Sequence, residues 1–463
     1  MADGKCSRHL HRRRSPRRPR TRDSCDQHSL NSWIPRNKGN IASSQYHYSK
    51  FRSPHRSHHH HYQCSPIRRK SAVSGGRSHH PYCSPVKRNN IRIAISEDII
   101  ASEILPRLPV RSLLRFKSVC KSWHALISGA NFITSHLARA RESSEFLIAL
   151  SSRRQQVTNL YTYEEGGGNS KTRFMFGKES VGEEILDYPM HSNGLVLLNI
   201  ENRLVLCNPG TRESKTLPEC SQDTLCSKNR AGFGFVTSAN VFKVAQYYYR
   251  SRNIEAGTYS LGFEVFTVGV DSCWRATDEE PPYAIHTSDH VSIGETVYFK
   301  IDTRIHKSSP YNILAFGLKD EKFSPIPRPH CFSMPAKNWI IDLEGVLRLV
   351  HCPQPNRLEI WTYEDHINHV WTQSFSIDLY LSAPKAFYPV TIRHGKLLLF
   401  MMGDGIERLE YYDPKNKSFN KLVDIAQDLV YDRSPQRPLT RIKNQDCTFQ
   451  VISYVESLVP IGN

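Results

Sequence analysis

No stretch of the 463-residue sequence approaches the ~20 consecutive apolar residues needed to span a bilayer, and its charged N-terminus lacks the apolar segment of a secretory leader. No CxxC pair occurs among its 12 cysteines, and their spacing matches no disulfide framework. A chain this long has no need of disulfides for stability. These absences argue against a membrane-spanning or disulfide-scaffolded protein. They favour a reducing compartment, nucleus or cytoplasm, with free thiols. The Arg- and Ser-rich start also has the composition of an organelle transit peptide, so that alternative stays open. Catalytic signatures are missing too. There is no GxGxxG, P-loop or HExxH, and the Gly232–Phe235 stretch lacks the glycine spacing and following helix that phosphate binding requires. Asp404, Glu407 and Glu410 cluster near the Gly403–Gly405 turn, where a solvated turn is the simpler reading than a carboxylate site. Cys207 and Cys220 have no basic neighbour in sequence to activate them. No catalytic residue, metal or cofactor is therefore expected.

Acidic residues are nearly absent from the first 90 positions: 20 Lys and Arg stand against Asp3, Asp23 and Asp26, a net charge of +17, while the remainder is close to neutral at about +1. The basicity thus belongs to a tail and does not make the whole chain a nucleic-acid binder. "HRRRSPRRPRTR" (11–22), eleven of the 22 histidines and frequent Pro, Ser and Gly leave residues 1–90 without apolar periodicity, so disorder is expected there. Its Arg cluster fits nuclear import or loose phosphate-backbone contact. The Ser-Pro pairs at Ser15, Ser53, Ser65 and Ser84 could accept phosphate. Cys64, His58 to His61, His79, His80 and Cys83 match no closed zinc-site spacing. Any nucleic-acid partner is expected only through this tail.

Residues 93–140 change character. Ser96 is placed to cap a helix whose first turn carries Glu97 and Asp98, where carboxylates complement the helix dipole. Ile100, Ile104 and Leu108 are four apart, and Pro106 predicts that the regular helix ends near Leu105. Ser112 is the expected cap of a second helix with Leu113, Phe116 and Cys120 on one face. Trp123, Leu126 and Ile127 form a third apolar group, and Asn131 is the expected cap of a last helix carrying Phe132, Ile133, His136 and Leu137. Three helices in so short a span make a small core, which such a unit completes against a partner or against the rest of the chain.

The residues themselves go further. "EILPRLPVRSLLRFKSVCKSWHALI" (103–127), with Asp98-Ile99-Ile100 before it and Phe132 and His136 after it, closely resembles the F-box of the large plant family of F-box proteins. In that family the F-box docks on a Skp-type adaptor that links it to cullin and RING subunits. The resemblance implies an adaptor face of Ile99, Ile104, Leu105, Leu108, Pro109, Val110, Leu113 and Leu114. One departure is the opening Ile95-Ser96, where family members usually have Leu-Pro. The change would weaken docking without abolishing it.

Residues 145–460 read as short strands and turns. A turn glycine followed by an apolar strand recurs at Gly194, Gly294, Gly345 and Gly395, with spacings of 100, 51 and 50, and Asn240 stands as a degraded copy in the long gap. A second set, Tyr161, Cys207, Phe266, Phe316, Trp361 and Tyr412, is spaced by 46, 59, 50, 45 and 51. A strand repeat of ~50 residues is the size of a propeller blade, so about six blades are expected, with a β-sandwich as the alternative. "NPG" and "DPK" supply turns, and "TFQVISYV" (448–455) is expected to pair with "FLIAL" (146–150) and close the ring. The stretches "SNGLVLL", "LCNPGTRESKTLP", "GFGFVTSANVFKV", "ILAFGLKDEKFSPIP", "EIWTYE", "YYDPKNKSF" and "YVESLV" also resemble, in order, the F-box-associated interaction domain of the same plant family. His191-Ser192 departs from its usual Cys or Ser-Cys, a difference consistent with a target-facing position.

The sequence thus implies a mainly β protein with a small α domain: a disordered tail (1–90), a three-helix F-box (93–140) and a β-propeller-like domain (145–460). The expected function is a substrate receptor in a Skp–cullin–F-box ubiquitin ligase, non-catalytic, holding an unidentified target protein. An F-box protein with a non-proteolytic or lost ligase role is the alternative, as is a nucleic-acid-associated protein acting through its tail.

Overall fold

The computed structural model describes residues 96–143, 145–152, 157–164, 171–179, 188–200, 203–219, 230–329, 337–365, 368–379, 386–403, 406–425, 430–431 and 447–462. The basic tail with its import, phosphorylation and zinc readings, and also Ile95, Asp404 and Cys220, lie outside them.

The first helical segment is irregular. α1 (Glu97–Ile99) passes into a π turn (Ile100–Ile104) and a 3₁₀ turn (Leu105–Arg107). Ser96 caps it as expected, its Oγ accepting from the Ile99 N–H at 3.3 Å. Two other caps fall elsewhere. α2 (Val110–Phe116) begins after Pro109, so Ser112 lies inside the helix, and α4 (Ala130–Ala140) begins after Gly129 rather than Asn131. Pro109 holds φ at −58° and ψ at 147°, so the helix starts at the next residue whatever Ser112 offers. α3 (Lys121–Ser128) starts from Cys120, whose Sγ accepts from the Trp123 N–H at 3.4 Å. Cys120 is therefore an exposed cap and no part of the apolar face of α2.

Beyond the helices the chain folds into six sheets, antiparallel except for one short parallel pair at the outer edge of the first. The first contains β1 (Glu145–Ser152), β2 (Val157–Glu164) and β3 (Lys171–Glu179). Next come β4 (Met190–Ser192), β5 (Leu195–Ile200), β6 (Arg203–Asn208) and β7 (Glu213–Thr216), then β8 (Arg230–Val236), β9 (Val241–Asn253), β10 (Thr258–Thr267) and β11 (Arg275–Ala276). The fourth sheet is β12 (Ile285–Ile293), β13 (Thr296–Ile301), β14 (Tyr311–Gly317) and β15 (Phe323–Pro327). The fifth is β16 (Lys337–Leu343), β17 (Val346–Gln354), β18 (Arg357–Asp365) and β19 (Val370–Asp378). The sixth is β20 (Ala386–Arg393), β21 (Lys396–Gly403), β22 (Ile406–Asp413) and β23 (Ser418–Asp424). β24 (Val430–Tyr431) then adds to the outer edge of the first sheet, and β25 (Cys447–Tyr454) pairs with β1 as its inner strand. The innermost strands β4, β8, β12, β16, β20 and β25 neighbour one another in a closed ring. This is a six-bladed propeller.

Its closure is the expected one, with Leu147 opposite Ile452 and Ile148 opposite Val451. The spaced positions Tyr161, Cys207, Phe266, Phe316, Trp361 and Tyr412 each fall on the third strand of a blade, and the turn glycines together with Asn240 each join the first and second strands. Asn193 and Gly194 both have positive φ, 53° and 85°, the geometry of a tight hairpin turn. Because side chains alternate across a strand, one face of each blade packs on the blade before and the other on the blade after. Phe146, Ile148 and Leu150 of β1 meet Leu398, Phe400 and Leu409 of the last blade, while Leu147 and Ala149 meet Val196 and Val205 of the second.

Candidate functional site

The helical unit has a small core of Leu105, Val110, Leu113, Ile127 and Phe132, with Ile100, Leu108, Leu114, Phe116 and Trp123 partly buried against it. Buried His136 bridges α4 to the turn after the 3₁₀ segment through Nε2 and the Leu108 carbonyl at 3.0 Å, and its ring stacks on Phe132. Phe116 and Trp123 meet edge to face at 5.4 Å between ring centres, so α2 and α3 are locked together through their aromatic side chains.

The eight residues expected to form the adaptor face divide into three groups. Ile99 (50% exposed), Ile104 (38%) and Pro109 stand in solvent. Leu108 and Leu114 are half-buried. Leu105, Val110 and Leu113 lie in the core, at 1% exposure or less. All eight lie within one short helical stretch, and only the first two groups keep surface open to solvent. Sequence reasoning passed over Val119, which is 60% exposed on the turn after α2. Ile99, Ile104 and Val119 are three of the six large hydrophobic residues standing exposed among the described residues, and all three belong to the helical unit. Charge frames it. Glu103 pairs with Arg107 at 3.2 Å and Arg139 at 3.5 Å, and the Arg107 contact first, then Arg139, holds its carboxyl below the usual range. The Ser122 hydroxyl beside the Cys120 thiol, and then the Trp123 N–H, lower its pKa.

The other contributor is remote in sequence. Leu458, from the segment after β25, is 4% exposed and belongs to the same helical core. The helical unit also touches the ring directly, as Arg141 donates from Nη2 to Asn193 Oδ1 at 2.6 Å. Both attachments lie at the end of the ring where first-to-second-strand turns such as Asn193–Gly194 sit, because β25 ends and β1 begins there, Tyr454 being opposite Glu145. His191 is part of this attachment, its Nε2 accepting from the N–H groups of Gly194 (3.0 Å) and Val455 (3.3 Å). That placement corrects the target-facing reading of the His191-Ser192 departure: the imidazole anchors the chain's own C-terminal segment.

Second-to-third-strand turns occupy the opposite end of the ring. There an open groove of about 500 Å³ lies between turns 254–257 and 304–310, with Ile254, Tyr283, Arg304, His306 and Lys307 among its lining residues.

Burial pushes the Cys207 thiol well up and Cys352 to about 12. Glu410 is buried and paired with Arg408, while burial, with Asp424 close by, raises Glu407 to about 7. Among the described residues no group of three His, Cys, Asp or Glu is placed to hold a metal ion, and no helix is long and apolar enough to cross a membrane.

Comparison with known proteins agrees with this architecture. Residues 98–135 match the F-box domain, and residues 140–447 match the F-box associated beta propeller domain. The chain is 27% identical to F-box protein At3g07870 of Arabidopsis thaliana, over 71% of this chain and 87% of that protein. It is 24% identical to F-box protein At5g10340 of the same plant, over 70% and 80%. Among solved structures, an oligogalacturonate lyase in complex with manganese is similar at 10% identity and a TM-score of 0.37, over 59% of this chain and 75% of that one. Helices, ring and order of domains together identify the chain as a member of the plant F-box proteins that carry an F-box associated β-propeller domain.

Proposed function

We propose that this protein is the substrate-receptor subunit of a Skp–cullin–F-box ubiquitin ligase. The observation that carries the reading is the exposure of Ile99 and Ile104 on a helical unit whose opposite side is already filled by its own core. Burying the parts of the two isoleucines that remain open, 50% of Ile99 and 38% of Ile104, contributes roughly 0.5–1.5 kcal/mol each on an adaptor, a gain the free chain forgoes. Pro109, Leu108 and Leu114 extend the contact, and Leu105, Val110 and Leu113 hold it in shape from beneath.

The ring then supplies the target-holding end. Helices and C-terminal segment occupy one end of the propeller, which leaves the end bearing the 254–257 and 304–310 turns for a target protein. The receptor performs no bond chemistry in this reading. Holding a target in one complex with a ubiquitin-loaded enzyme raises the effective concentration of its lysines near the reactive thioester. Nucleus and cytoplasm are the compartments proposed for it.

Size-exclusion chromatography of the purified chain with a Skp-type adaptor, a cullin and its RING subunit tests the assembly. Co-elution in one stoichiometric peak supports the receptor role, and elution of the chain apart from the other three contradicts it.

A further inference from the structure

We infer that the C-terminal strap 455–462 is an integral part of the F-box, and that Leu458 is a positioning residue for adaptor docking. The inference rests on the receptor reading for its functional half and on packing alone for its structural half.

The strap is extended and two-sided. Ser457, Val459 and Ile461 turn toward the ring: Ser457 is 0% exposed, its Oγ donating to the Asn193 carbonyl at 2.9 Å, while Val459 and Ile461 pack with Leu217 and Trp274 between the second and third blades. Leu458 turns the other way, into Leu105, Val110, Leu113, Ile127 and Phe132. Alternation in an extended segment places these residues on opposite faces, so one short peptide grips both domains.

The grip is built from fixed groups. Asn208, fully buried, donates from Nδ2 to the carbonyls of Ser457 (3.1 Å) and Val459 (2.8 Å). Its Oδ1 accepts from the Gly210 N–H at 2.9 Å and the Thr211 N–H at 3.2 Å, which fixes the amide's orientation. Glu456 pairs with Arg173 at 3.2 Å, and Lys215 Nζ donates to the Gly462 carbonyl at 3.3 Å. A side chain at Gly194 would collide with the hydroxyl and Cβ of Ser457.

The consequence is geometric. Without the strap, the helical unit would keep only the chain connection after Ser143 and the Arg141–Asn193 hydrogen bond to hold it against the ring. With Leu458 in its core and the strap bonded along the second blade, the adaptor face keeps one direction relative to the target end. A fixed direction is what transfer by proximity needs. The same C-terminal stretch closes the propeller through β25, so ring closure and F-box completion are two ends of one segment.

Hydrogen exchange on the full chain, with adaptor affinity measured beside it, tests the inference. Leu458→Ala is expected to speed exchange of amides across residues 97–140 by about tenfold or more and to weaken binding of a purified Skp-type adaptor, while β16 to β19 keep their protection. Leu458→Met, which preserves volume, restores both. Unchanged exchange in the helices of Leu458→Ala overturns the inference. So does loss of protection throughout the ring, which would make Leu458 a general stability residue. A rise confined to the helices, in a chain whose native form binds no adaptor, upholds the strap and removes the receptor reading instead.

Discussion

Ile148 of β1 lies directly opposite Val451 of β25, so the last strand of the chain completes the first blade. Phe449 in the same strand is 1% exposed between the first and last blades. Phe449→Ala is expected to cost ~3–5 kcal/mol of stability, read as a lower midpoint in urea unfolding. A midpoint matching the native chain would mean that β25 does not close the ring.

Two turn glycines separate backbone strain from strap contact. Gly345 has φ of 76° and open space around the place a Cβ would take, whereas Gly194, at φ 85°, faces Ser457. Gly345→Ala is expected to cost only the penalty of a left-handed backbone, about 1–2 kcal/mol. Gly194→Ala carries that penalty and must also displace the strap, so its loss in thermal unfolding should be clearly larger. Equal losses would count against a seated strap.

His191 gives a pH signature. Burial holds its pKa down at about 4, with the Arg141 charge nearby acting in the same direction, against an unfolded value of about 6.5. Below pH 6.5 the unfolded chain takes up a proton that the folded chain refuses. Stability from the neutral imidazole is therefore present above that pH and is lost as pH falls toward 4, on the order of 3 kcal/mol. His191→Gln should flatten this part of the pH–stability profile in denaturant titrations from pH 7 to 4.5. An unaltered slope would show that His191 titrates normally in the fold.

Much of this was legible in the sequence because it is local and periodic. The turn positions, the third-strand positions and the closing strand could be read from spacing, since each blade repeats one hairpin geometry. Ser96 was legible as a cap because nothing competes with it. Ser112 and Asn131 misled because Pro109 and Gly129 start their helices earlier. Leu105, Val110 and Leu113 could not be told from Ile99 and Ile104, because a small bundle that docks on a partner is apolar on both its inner and outer sides. Leu458 stood in a recognised stretch, "YVESLV", yet an extended segment carries no periodicity that names its distant partner. The role of His191 was hidden for the same reason.

Core and surface residues of the helical unit should differ in what substitution costs. Leu113→Ala, fully buried, is expected to lower stability by ~2–5 kcal/mol. Ile99→Asp (50% exposed) and Ile104→Asp (38% exposed) should lower the melting temperature far less than Leu113→Ala does, because much of each side chain already faces water. A melting temperature lowered by the aspartates as much as by Leu113→Ala would place both isoleucines in the core.

The central claim rests on those two isoleucines. The most direct measurement is calorimetric titration of a purified Skp-type adaptor into the full chain and into the Ile99→Asp, Ile104→Asp double variant. Saturable one-to-one binding by the native chain, weakened about 100-fold or more in a variant that stays folded, is the predicted result. Absence of binding by the native chain, or equal binding by both, would contradict the assignment of this surface to the adaptor.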